Sequence, residues 1–259
     1  MSDVPSLMFV DPNEADATFR VVLWAAPGEG KSVGAASAPD PILVISADRP
    51  GAYRYARVRH KGKDIREVRF KDSTTLGEVY LYLKGEGQDV RTIVLDPFGG
   101  IYDKLADEFP TSDGETNWLG LNKKVTGFLY SLRELDIHVV IVAHEKLNDG
   151  KRGDGKLYPA VGGPALINKV LAESDIVAHV ERVPGEDRAD DRYEAQLMPS
   201  GKLVCKQSTP ADLGDRAPLD LSAWFAAAAP DESDLPWGKG AEAPGSNAEV
   251  EPEQQELGA

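Results

Sequence analysis

Apolar positions in this chain fall in short, dense runs separated by turn residues, the pattern of strands buried on both faces of a sheet. Val21-Val22-Leu23-Trp24 is the first run, and it leads without a break into a glycine-rich turn. The small residues after Lys31 then predict a brief helix that Pro39 stops. Ile42 to Ile45 predicts a second strand, Glu67 to Phe70 a third, and Thr92 to Leu95 a fourth that ends at Asp96. Val139 to Val142 and Ile176 to Val180 add two more. Elsewhere the period lengthens to three and four: Leu76 to Leu83 shows it, and in Leu121 to Leu135 so do Val125, Phe128, Leu129, Leu132 and Leu135.

Strands alternating with helices predict the α/β class, with a mostly parallel central sheet covered by helices on both faces and ligands at the carboxyl ends of its strands. Near the end of the chain, Tyr193 to Met198 and Lys202 to Lys206, joined through Pro199-Ser200-Gly201, predict an antiparallel pair. Beyond Trp224 the sequence turns to alanine, proline, glycine and acids, which bury too little apolar surface to offset chain entropy. The expected organisation is a lead segment over 1–18, one core domain over 19–226 and an acidic, disordered tail over 227–259.

With 259 residues, 41% of them hydrophobic, the chain has material for one sizeable core. A lone cysteine, Cys205, excludes an internal disulfide framework. The N-terminal stretch lacks the basic-then-apolar pattern of a signal peptide, so a cytoplasmic protein is expected. The most apolar segment, Ile137 to Ala143, is too short to cross a bilayer, and no membrane role is expected. A formal net charge of −14 argues against binding a polyanion such as nucleic acid. Half of that charge, however, lies in 227–259, where eight acids face one base, Lys239.

The turn after the first strand carries the chemistry. In Pro27-Gly28-Glu29-Gly30-Lys31-Ser32-Val33, glycines let successive backbone N–H groups point at phosphates, Lys31 reaches the outer phosphates and the Ser32 hydroxyl suits Mg²⁺. The expected cofactors are therefore ATP and Mg²⁺. One position departs from G-x-x-x-x-G-K-[ST]: Ala25 stands at the first glycine, which alanine can fill where φ is negative. Asp96, ending an apolar strand, is placed to organise the metal, or else to cap the turn at Pro97. Asp48, after the Ile42 strand, is a candidate to orient or deprotonate the attacking water, although Asp-Arg-Pro-Gly is also good turn chemistry. His144, at the end of its strand, faces the same crevice and could sense the outer phosphate, or serve no ligand at all.

Two basic stretches bear on nucleic acid. Arg49 to Lys63 includes Arg54, Arg57 and Arg59, interleaved with Tyr53 and Tyr55, residues that neutralise phosphates and stack bases. The second comprises Lys146, Lys151, Arg152 and Lys156 in a loop rich in Gly and Asp. Either could equally be a solvated charged face, and the first could instead supply an arginine to a neighbouring subunit's site.

Taken in order, the phosphate loop, the Asp48 strand, the Asp96 strand, the long helix, the His144 strand and Gly162-Gly163-Pro164-Ala165-Leu166 running to Asp175-Ile176 resemble the ATPase core of RecA over about Phe19 to Lys206. The chain looks most like compact RecA-like ATPases of bacteriophages that promote single-strand annealing or recombination. That resemblance implies a RecA-like fold, Lys31 and Ser32 as phosphate and metal residues, Asp96 as the Walker B acid, Asp48 in place of the catalytic glutamate and His144 at the switch position. It also implies that Gly99 to Leu119 and Lys146 to Val161 are two DNA loops, and that Lys202 and Lys206 reach a neighbouring subunit's nucleotide. The implied protein binds single-stranded DNA, hydrolyses ATP, forms a homo-oligomeric ring or filament and works in a bacterial host's cytoplasm. A helicase-loading or other motor ATPase, or an ATP-gated binding module without turnover, are the other readings. The acidic tail resembles that of RecA and would compete with DNA for the basic loops, or else serve only as a plain solubilising tail. Within it, Asp231 to Trp237 resembles the Pro-aromatic tip of bacterial single-strand binding proteins, making such a protein a candidate partner.

Overall fold

Every side chain from Val21 to Ala25 is buried, because the strand that holds them is covered on both sides. The computed structural model describes residues 18–49, 51–148, 154–209 and 212–229. In β1 (Arg20–Ala25), Val22 and Trp24 enter the core on one face of the sheet, while Val21, Leu23 and Ala25 enter the core on the other. Five more strands run parallel to it, namely β2 (Ile42–Ser46), β3 (Ile65–Arg69), β4 (Thr92–Asp96), β5 (His138–Leu147) and β7 (Ile176–Val183). Their spatial order is β3-β2-β4-β5-β1-β7, so β5 lies between the strand that feeds the phosphate loop and the strand that ends at Asp96. The expected α/β class, mostly parallel, is what the chain adopts.

The Val22 and Trp24 face is covered by α3 (Ser73–Lys84), α4 (Phe98–Ala106), α5 (Trp118–Arg133) and α6 (Pro164–Glu173). On the opposite face lie α1 (Lys31–Ala35), α2 (Arg54–Arg59) and α7 (Leu221–Ala228). Side chains cap the starts of three helices: Asp72 accepts from the Thr74 N–H, Asn117 from Gly120 and Asp220 from Ala223. Phe225 of α7 stacks on His138, which stacks in turn on Phe19, so α7 carries the body to Ala228, past the boundary at 226 that composition suggests. Burial beside Arg91 lowers the His138 pKa to about 4, and the neutral ring accepts the Phe19 N–H through Nδ1 at 3.1 Å.

The expected antiparallel pair near the C-terminus does not form. β8 (Arg192–Gln196) pairs with the far half of β7 and with β10 (Arg216–Pro218), while β9 (Lys206–Gln207) pairs with the near half of β7. β8 and β9 thus lie end to end along one edge of β7, a single antiparallel line interrupted by an excursion over 197–205. The free edge of β7, whose other edge is taken by β1, offers more ladder bonds than a short hairpin through Pro199-Ser200-Gly201. The excursion meets β6 (Leu157–Pro159), where the Leu157 N–H donates to the Lys202 carbonyl at 2.8 Å.

Lys206 is also placed differently from the role that the RecA resemblance implies. Its ammonium donates to the carbonyls of Leu171, Ala172 and Ser174 at 3.3, 3.0 and 2.7 Å, satisfying the C-terminal end of α6 in its own chain. Lys206→Met should therefore lower stability by about 1 kcal/mol, moving the melting temperature down by about 2–4 °C. A melting curve checks this. Unchanged stability with lost turnover would return Lys206 to a neighbouring site.

Candidate functional site

β1 delivers the chain to the sheet's carboxyl edge, and there the backbone turns through Gly28 and Gly30 at φ of 88° and 89°. Only glycine adopts such values without strain. A Cβ on Gly30 would also lie 2.2 Å from the Tyr193 ring. No non-glycine residue has positive φ among the described residues, so Ala25 takes the first glycine's place without strain. The Lys31 ammonium donates to the carbonyls of Ala25 and Ala26 at 3.0 and 2.7 Å. Burial lowers the Lys31 pKa, against the pull of Asp96, Glu145, Glu29 and Asp48.

The Ser32 hydroxyl donates to Asp96 Oδ2 at 2.6 Å, across the gap that β5 spans. The Tyr53 hydroxyl donates to the same oxygen at 2.7 Å. Burial pushes the Asp96 carboxyl up, opposed by these two bonds and by Lys31 and reinforced by Asp48. A serine hydroxyl beside one carboxylate, both next to a phosphate loop, fits Mg²⁺, which takes one or two protein oxygens and completes its shell with phosphate and water. No cluster of three or more His, Cys, Asp or Glu occurs among the described residues, so an all-protein metal cage is not what these residues build.

These groups line one open cavity of about 300 Å³. Pro27, Gly28, Gly30, Lys31, Ser32 and Val33 form its floor; Asp48, Asp96 and His144 stand on its wall. Glu29 belongs to the same loop but turns outward, where its carboxylate accepts the Arg182 N–H at 2.9 Å. The fold therefore gathers residues 16 to 112 positions away from Ser32 in sequence into one site.

The lining also includes residues not assigned to this site from sequence, among them Arg182, Tyr193 and Pro97. Arg182 extends β7 beyond Val180 to the carboxyl edge, where its Nε lies 3.4 Å from the buried Asp191 carboxylate. Carrying the apolar run at Ile176 three residues further would have pointed to it. Tyr193, hydrogen-bonded to Tyr55, closes the side over Gly30. Pro97 follows Asp96 directly.

Part of the first basic stretch is tied to its own chain, although Arg49, Arg54, Arg57 and Lys61 are exposed. Tyr53 is 1% exposed and so cannot stack a base. Arg57 donates to the Ile65 carbonyl at 2.6 Å. Arg59 donates to the carbonyls of Ala189 and Asp191 and lies over the Tyr193 ring. The same stretch lines the nucleotide cavity through Ala52, Tyr55 and Ala56 rather than through its cations.

The two stretches expected to be DNA loops are more structured than loops. Gly99 to Leu119 includes most of α4 and the start of α5, and Lys146 to Val161 includes the end of β5 and all of β6. β5 does not stop at His144 but continues to Leu147, where it pairs with β6. Between these elements opens a second cavity of about 540 Å³, lined by Tyr102, Trp118, Asn122, Lys146 and the start of α6. Tyr102 and Trp118 stack there at 6.4 Å, with Trp118 55% exposed. Lys156 is exposed nearby on the β6 side, and Lys202 is exposed on the excursion. Lys151 and Arg152 lie outside the described residues, as do the lead segment up to 17 and the tail from 230 onward.

Residues 17–207 match the AAA domain family. No curated protein matches the chain in sequence. Among solved structures, a KaiC-like protein from the hyperthermophilic archaeon Pyrococcus horikoshii is similar at 15% identity and a TM-score of 0.43, over 68% of this chain and 76% of that one. The flagellar accessory protein FlaH from Methanocaldococcus jannaschii is similar at 10% identity and a TM-score of 0.46, over 79% of this chain and 88% of that one.

Proposed function

The chain belongs to the AAA domain family and is an ATPase with a RecA-like P-loop core, and from that premise we propose that its ATPase cycle governs binding to single-stranded DNA, in recombination, annealing or repair of the bacteriophage kind. One observation carries the reading. β5 places His144 in the nucleotide cavity and Lys146, two residues on and on the same face of the strand, in the aromatic cavity. A rigid element thus joins a phosphate site to a groove with a stacked aromatic pair, a cation and a helix start, the features that hold a single strand by its bases and backbone. A duplex offers no unstacked base to Trp118.

Hydrolysis at the first cavity requires water to attack the outer phosphorus as the bond to the bridging oxygen breaks. Lys31 and the loop N–H groups hold the phosphate oxygens and offset the charge that develops on them. Asp48, on the cavity wall, orients the water and takes its proton. Mg²⁺ would be held by Ser32 and Asp96 and would neutralise phosphate charge. Arg182 adds a positive group within the same chain. A homo-oligomer, ring or filament, is part of this reading, with Arg54 and Lys202 as exposed cations for a neighbouring subunit.

The test is ATP turnover with and without single-stranded DNA, duplex and RNA. Single strands should stimulate turnover most, and Trp118→Ala should weaken single-strand affinity by about tenfold through lost stacking. His144→Ala should still bind ATP, but its DNA affinity should no longer respond to it. Turnover indifferent to every nucleic acid, in a protein that binds ATP, would discard the DNA reading and leave the ATPase.

A further inference from the structure

Tyr53 is the first residue before α2, and its ring is fully packed away from solvent. A hydroxyl in such a place needs a partner. The partner is a carboxylate, Asp96 Oδ2 at 2.7 Å, rather than a nearby backbone carbonyl. Ser32 donates to that same oxygen at 2.6 Å, so two donors converge from opposite elements, one from the phosphate loop and one from the stretch after β2. A charge-assisted pair of this kind fixes the plane of a carboxylate better than one bond does. Asp96 is bonded a second time to the Asp48 segment, because the Ala47 N–H donates to the Asp96 carbonyl at 3.1 Å. The stretch that carries Asp48 is thus fastened at both of its ends to one residue.

We propose that Tyr53 is a positioning residue: its hydroxyl sets the Asp96 carboxylate beside Ser32 and, through the same bond, holds the Asp48 segment over the phosphate site. It touches neither phosphate nor water. It acts through Asp96, so metal organisation and the placement of the attacking water are set by one hydrogen bond. The inference rests on the ATPase assignment and is independent of the DNA reading.

Tyr53→Phe keeps the ring and removes only the hydroxyl. Affinity for a fluorescent ATP analogue in EDTA should stay within about twofold of the parent, while the Mg²⁺ needed for half-maximal turnover rises about fivefold and kcat falls about tenfold with little change in KM. In the Asp96→Asn background, Tyr53→Phe should no longer reduce the gain in nucleotide affinity that Mg²⁺ brings, since the path runs through the carboxylate. Para-aminophenylalanine at position 53 restores a donor on the same ring and should recover most of kcat. A proportionate loss in both backgrounds, an unchanged Mg²⁺ requirement, no recovery with the amino ring, or loss of nucleotide binding in EDTA would each overturn the proposal, the last by making the hydroxyl a fold element.

Discussion

Lys31→Ala should abolish ATP turnover, lowering kcat/KM by about 10³-fold or more, while the protein still folds. The size follows from position. Lys31 is 7% exposed, its ammonium sits on the loop carbonyls of Ala25 and Ala26, and it lies on the floor of the cavity that Ser32 and Asp96 share. A preorganised donor facing developing charge in a partly dry site contributes roughly 10²–10³-fold when removed singly, and a full positive charge on the outer phosphates contributes more. The side chain adds little to the apolar core, but its loss leaves the buried Ala25 carbonyl and the part-buried Ala26 carbonyl without this donor. Stability should therefore fall by about 1–2 kcal/mol. Phosphate release measured beside a thermal melt separates the two effects. Parent-like turnover would remove the phosphate-loop assignment altogether.

Asp96→Asn should lower Mg²⁺-dependent turnover by about 10²-fold yet change nucleotide affinity in EDTA by less than about threefold. Two hydroxyls already donate to Oδ2. An amide at this position must either turn its NH₂ toward those donors or turn it toward the metal side, and both arrangements lose an acceptor. The substitution also removes a buried negative charge whose carboxyl is pushed upward by burial, so no large loss of fold stability should accompany the kinetic loss. Isothermal titration with ATP, with and without Mg²⁺, gives the comparison. Equal loss of affinity in both conditions would make Asp96 a structural residue of the turn at Pro97.

Much of the core was legible because its signals are local. Dense β-branched runs marked β1, β2 and β4, and the three- and four-residue steps marked α3 and α5. α2, α4 and α7 were not legible: Arg54–Arg59 reads as charge rather than periodicity, Phe98–Ala106 opens with two glycines after Phe98, and Leu221–Ala228 dissolves into an alanine-rich boundary. Their apolar faces acquire meaning only from the sheet beneath them, which supplies the burial that propensity does not. The interrupted strand formed by β8 and β9 is the same lesson in the sheet. A turn signal at Pro199-Ser200-Gly201 describes where the chain bends, whereas the free edge of β7 decides what it pairs with.

By itself the sequence determined the phosphate loop, the strands that lead to it and the strand-end positions of Asp48 and Asp96, because glycine spacing and apolar period act over a few residues. Tertiary structure alone decided which oxygen Ser32 and Tyr53 share, that Arg57 and Arg59 are tied to their own chain's carbonyls, that Lys206 closes α6, and that Arg182 reaches the cavity. Those outcomes join residues far apart in the chain. They depend on which side chain meets which across a packed sheet, where a buried polar group takes the partner that the fold brings within reach.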